Sequence, residues 1–127
     1  MIGAPPRRNR GGCCQAVTAI EPGQGQATAA LLRALSDSTR LGMLATLWKA
    51  SAPVCICDFT AAYGLSQPTI SHHMAKLKMA GLVRSRRQGI WVFYQRVDEV
   101  PPEVESLVSG ALAHAGVRQR AATAPEA

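Results

Sequence analysis

No apolar run in this 127-residue chain approaches the roughly 18 residues that a membrane-spanning helix needs, so no spanning segment is expected. The opening residues, MIGAPPRRNRGG, carry arginines with no apolar stretch behind them, which suits neither a secretory signal nor an anchor. A cytoplasmic setting follows as the expectation. There the four cysteines, Cys13, Cys14, Cys55 and Cys57, are expected to be reduced, which favours metal binding or redox sensing over structural disulfides. Also missing are a CxxC pair, a βαβ pattern around the thiols and any nucleophile, base and acid set, so the chain does not read as an enzyme. Acidic residues are absent from 64–97, where Lys76, Lys78, Arg84, Arg86, Arg87 and Arg96 all lie. With a net charge of +6 over the chain, that segment asks for a polyanionic partner.

At 13.5 kDa there is material for one domain and no internal repeat. Residues 1–23 read as a flexible arm carrying Cys13-Cys14, 24–115 as the folded unit, and 116–127 as a disordered tail. A first helix is predicted after the breaker Glu21-Pro22-Gly23, with Leu31, Leu32 and Leu35 on its apolar side. A second is capped by Asp37 or Ser38 and presents Leu41, Leu44, Leu47 and Trp48 at steps of three and four. A short helix from about Cys57 to Tyr63 stops at Gly64, which suits the left-handed position past a helix end.

Ser66 then caps a helix with Pro68 in its first turn and Ile70, Met74 and Leu77 on one buried stripe. Pro68, Thr69, His72, Lys76 and Met79 face away from that stripe, which makes the pair a helix-turn-helix. LVRSRRQGIWVFYQRV changes to strand character on both sides of Gln88-Gly89 and reads as a β-hairpin with a glycine turn. Pro101 and Pro102 open a last helix whose Val104, Leu107, Val108, Ala111, Leu112 and Ala115 form a stripe suited to a dimer interface. The expected fold class is therefore mainly α with a small β-hairpin, a winged helix-turn-helix that forms a homodimer.

The runs ALSDSTRLGMLATL, GLSQPTISHHMAKLKMAGLV and RRQGIWVFYQRV resemble the ArsR/SmtB family of metal-responsive transcriptional repressors, over about residues 27–113. The resemblance implies a homodimer that sits on an inverted repeat in its own promoter and lets go when a toxic metal or metalloid binds. On the residues themselves, Ser66, Gln67, Thr69, Ser71 and His72 at a helix start can reach phosphates and base edges of double-stranded operator DNA, with Gln67 the candidate for adenine readout. Lys76, Arg84, Arg86 and Arg87 are the candidates for phosphate. His72 and His73 diverge by about 100° on a helix and suit a DNA contact and a packing role better than a shared metal.

The segment VCICDFT, residues 54–60, matches a known inducer site of that family, whose arsenic-responsive form carries a third cysteine where this chain has Thr60. A pyramidal As(III) or Sb(III) centre takes three thiolates, and a threonine hydroxyl is a poor substitute. The set expected here is Cys13, Cys14 and Cys55, with Cys57 as spectator or alternate. All four sulfurs could instead hold Cd(II), Pb(II) or Zn(II), as in the family's cadmium and lead sensors. The family's other site, on the last helix, is absent: Asp98 has no histidine two residues on and His114 stands alone. A metal-free thiol redox regulator and a protein-binding adaptor remain the alternatives from other classes.

Overall fold

The structure, a computed structural model, describes residues 3, 4 and 16–117. Among the described residues, five helices carry a three-stranded antiparallel sheet in which the third strand lies between the first and the second. Among the described residues no helix is long and apolar enough to cross a membrane.

Helix α1 (Pro22–Leu35) begins two residues earlier than its sequence suggests, with Pro22 and Gly23 inside the first turn. Proline has no N–H to leave unsatisfied there, so it opens the helix instead of preceding it. Leu35 and Ala34 are buried while Leu32, expected on the apolar side, is 47% exposed: α1 meets its neighbours along one flank only. In α2 (Ser38–Lys49) the Asp37 carboxylate accepts the Arg40 N–H at 2.9 Å, so the cap is Asp37. That hydrogen bond, more than any other influence, holds the Asp37 carboxyl below its ordinary range.

Helix α3 (Ile56–Tyr63) ends at Gly64, whose φ of 64° is the left-handed conformation that closes a helix. The turn leads to Ser66, which accepts the Thr69 N–H and caps α4 (Gln67–Met79). Ile70, Met74 and Leu77 are 0%, 1% and 0% exposed, so the inward stripe of α4 is the centre of the core. β2 (Val83–Gln88) and β3 (Trp91–Arg96) form the hairpin, its turn being Gly89 and Ile90. Only Gly89 of the two has a positive φ, 63°, as a type II′ turn with glycine first requires. The chain thus carries a winged helix-turn-helix.

The sequence reading lacks β1 (Val54–Cys55), which joins the hairpin as a third strand with Val54 opposite Tyr94 and Cys55 opposite Phe93. The last helix, α5 (Pro102–Ala115), buries Val108 and Leu112 against the core. Its Val104, Leu107 and Ala111 are half-buried and Ala115 is exposed, so part of the stripe stays on the surface.

Candidate nucleic-acid interface and thiol site

With Ile70, Met74 and Leu77 turned inward, helical geometry leaves Gln67, Thr69, Ser71, His72 and Lys76 exposed on the other side of α4. Ser66 belongs to this group by position, but its hydroxyl is committed locally, 2.9 Å from Thr69 Oγ1 and accepting the Thr69 N–H at 3.3 Å. Those contacts fix the start of the helix. Gln67 and His72 are exposed, and neither side chain makes a hydrogen bond among the described residues. His73 is half-buried: its Nδ1 lies 3.4 Å from Arg40 Nη1 and 4.0 Å from the Asp37 carboxylate. Arg40 also donates to the α1 carbonyls of Ala34 (2.8 Å) and Arg33 (3.2 Å), so one guanidinium ties α1, α2 and α4 together. The packing role expected of His73 is the one it has.

The wing arginines divide into two groups. Arg86 and Arg87 are exposed and enter no ion pair among the described residues. As neighbours on a strand they point to opposite faces, Arg86 in register with Phe93 and Arg87 with Val92. Arg84 is exposed too, but is paired with Asp98 at 2.8 Å. Arg96 serves the fold: it bonds the Glu105 carboxylate, its guanidinium carbon lies 3.8 Å from the centre of the Trp48 ring, and Trp48 Nε1 donates to Glu105 at 3.3 Å. The Arg96 hydrogen bond holds the Glu105 carboxyl below its ordinary range. This cluster joins α2, the wing and α5, and nothing in the spacing of Trp48, Arg96 and Glu105 announces it.

The thiol pair sits at the head of α3. Cys55 is the N-cap: its sulfur accepts the Cys57 N–H at 3.3 Å, while its own N–H donates to the Asp58 carboxylate at 3.2 Å, a reciprocal capping box. The Cys57 thiol also donates to Cys55 Sγ, at 2.7 Å. Cys55 is buried and Cys57 exposed. Holding that hydrogen bond, then burial and the charges of Cys55 and Asp58, push the Cys57 thiol up to about 11. Cys57 therefore keeps its proton at neutral pH while Cys55 Sγ acts as acceptor. The protonated form favours the folded site below the ordinary thiol range, and this contribution is lost as pH rises through about 11. Alkylation by iodoacetamide should follow the same titration. Mass spectrometry at peptide level is expected to show Cys57 reacting slowly at pH 8 and about tenfold faster per pH unit above it. A plateau by pH 9 would show that the hydrogen bond to Cys55 does not hold the Cys57 proton.

Thr60 lies one turn along α3, its hydroxyl donating to the Cys57 carbonyl at 2.9 Å. The donor set this site offers a soft ion is thus two sulfurs, and among the described residues no group of three His, Cys, Asp or Glu side chains is gathered to hold a metal. Cys13 and Cys14 lie outside the described residues.

The family model described as "Bacterial regulatory protein, arsR family" matches residues 37–85, from the cap of α2 into the first wing strand. The arsenic resistance transcriptional regulator ArsR1 of Pseudomonas putida is 39% identical over 80 residues, covering 63% of this chain and 62% of that protein. The arsenical resistance operon repressor of Escherichia coli is 37% identical over 81 residues, 64% of this chain and 68% of that one. Among solved structures, the AntR antimony-specific transcriptional repressor superposes with a TM-score of 0.62 at 26% identity, covering 80% of this chain and 87% of its own. An exposed reading helix, a basic wing and these alignments lead to one assignment: the chain belongs to the ArsR family of bacterial regulatory proteins, DNA-binding transcriptional regulators and not enzymes.

Proposed function

We propose that this protein is a metalloid-responsive repressor that binds operator DNA as a homodimer in the cytoplasm and releases it when As(III) or Sb(III) is captured by Cys13, Cys14 and Cys55. The observation that carries the reading is the location of the thiol pair. Cys55 is at once the N-cap of the first helix of the helix-turn-helix and a strand residue paired with Phe93 of the wing. A ligand drawn onto its sulfur competes with the cap and pulls on both DNA-facing elements. Coupling of this kind typically amounts to about 5- to 150-fold in affinity, enough to switch a promoter. The part of the α5 stripe left on the surface supports a dimer interface, and the arsenic and antimony regulators to which the chain is similar support the inducer class.

A second reading has its own support. Cys55 and Cys57 sulfurs 2.7 Å apart can both reach one ion, which favours a four-thiolate site for Cd(II), Pb(II) or Zn(II) completed by Cys13 and Cys14. The test is fluorescence anisotropy of the reduced protein on DNA from its own promoter, titrated separately with arsenite and cadmium. Release by arsenite alone is the expected result. Release by cadmium alone would establish the second reading. An intact complex that ignores both ions but dissociates with peroxide would replace both readings by a thiol redox regulator.

A further inference from the structure

The wing ends in an apolar tip that no packing within the fold requires. Ile90 is 82% exposed and Trp91 50% exposed. The turn holding them is tight, since Gln88 pairs with Trp91 across Gly89 and Ile90 alone. Gly89 takes the left-handed conformation, φ 63°, and Ile90 is left at the apex with no core to pack on. Register places Trp91 on the same face as Gln88, and Phe93 with Arg86 in a parallel row behind it. Apolar side chains clustered at an exposed tip and rimmed by polar ones mark a contact surface.

Charge identifies the partner. Between 83 and 96 the hairpin has no acidic residue, and Asp98 at its base is occupied by Arg84. Arg86 and Arg87 stand exposed close to the tip. A second copy of this tip would meet like charge, whereas a narrow polyanionic cleft whose walls attract the arginines, and whose stacked bases offer apolar faces once a step is parted, satisfies both the arginines and the isoleucine. The minor groove of DNA has that character: phosphate walls, base edges within, and a width of about 6 Å that admits a side chain but not the two-stranded ribbon behind it.

Position agrees. Leu82 N–H donates to the Leu77 carbonyl at 3.1 Å and Lys78 Nζ to Ser85 Oγ at 2.9 Å, so the hairpin is anchored to the end of α4. Six strand residues at about 3.3 Å each carry the tip roughly 20 Å outward. From a major groove about 12 Å wide, that reach extends to the adjoining minor groove.

We propose that Ile90, flanked by Trp91, is an apolar wedge that the wing presses into the minor groove beside the major groove read by α4, partly unstacking a base step and bending the duplex. The inference rests on the operator-binding reading and adds a preference for easily deformed steps at positions α4 does not touch.

The experiment uses the full chain with a duplex from upstream of its own gene and a random duplex of equal length. Ile90→Ala is expected to weaken binding about tenfold or more, the order of effect of burying an isoleucine side chain, with the salt dependence kept as in the unaltered protein because the arginines that meet phosphate are untouched. Ile90→Leu is expected to retain affinity. The bend measured on circularly permuted fragments should fall with Ile90→Ala, and DNA-induced quenching of tryptophan emission should vanish in Trp91→Phe. Unchanged affinity and bend for Ile90→Ala, or weaker binding accompanied by a shallower salt slope, would overturn the wedge while leaving operator binding intact. An unaltered protein that binds neither duplex would overturn both.

Discussion

Reversing both unpaired wing charges, Arg86→Glu with Arg87→Glu, is expected to lower operator affinity about 100-fold or more near physiological salt. The two side chains are exposed, lack ion-pair partners among the described residues and point to opposite faces of β2. A hairpin whose tip meets a groove can thus set one against each phosphate wall. In the proposed dimer four positive charges become four negative ones, and the slope of log affinity against log salt should fall by about 0.9 for each phosphate no longer neutralised. Because phosphate contacts carry little sequence information, operator and random duplex should weaken together. The contrast with Arg84→Glu is informative: Arg84 is already neutralised by Asp98 at 2.8 Å, so its effect should be smaller. Gln67→Ala should differ in kind, weakening the operator while sparing random DNA. Anisotropy titrations across a salt series measure all of these. Full affinity in the double variant would favour a protein-binding adaptor.

The helix-turn-helix was legible because its signals are local and agree with one another. Ile70, Met74 and Leu77 recur at helical spacing, Ser66 stands at the cap, and Gly64 has the φ of 64° that its position after Tyr63 calls for. The hairpin was legible for the same reason, from strand residues on both sides of a glycine turn. What escaped depends on partners far away in sequence. β1 is two residues long, too short for periodicity, and exists only because Val54 and Cys55 find Tyr94 and Phe93. The Trp48, Arg96 and Glu105 cluster spans three elements, and Arg96 counted in sequence as one more wing charge. Leu32 satisfied the pattern of α1 yet faces outward, since a leucine pattern identifies an apolar side without saying how much of it finds a neighbour. At the thiol site the sequence places two cysteines one residue apart but leaves open which is buried. The capping box decides it by turning Cys55 inward and leaving Cys57 exposed with its proton.

That asymmetry underlies the second large effect, complete loss of arsenite-driven release in Cys55→Ser with uninduced DNA affinity kept within about twofold, because serine is itself a preferred N-cap. The serine oxygen can still accept the Cys57 N–H and preserve the start of α3, so a missing response would report a missing ligand and not a damaged fold. Cys57→Ser should leave release in place if the set is Cys13, Cys14 and Cys55, and abolish it if all four sulfurs are needed. The most demanding test restores a response instead of removing one. Thr60 follows Cys57 by three residues, one helical turn, so a cysteine there would stand on the same side of α3. In a Cys13→Ser, Cys14→Ser background, expected to be silent, Thr60→Cys should bring arsenite sensitivity back by assembling three thiolates on α3 alone. Absorbance in the near ultraviolet, where arsenic–thiolate bonds are seen, would follow binding independently of DNA. If binding returned without release, three sulfurs would suffice to hold the ion while the switch itself required the N-terminal arm; if the doubly substituted protein kept its full response, Cys13 and Cys14 would not be ligands at all.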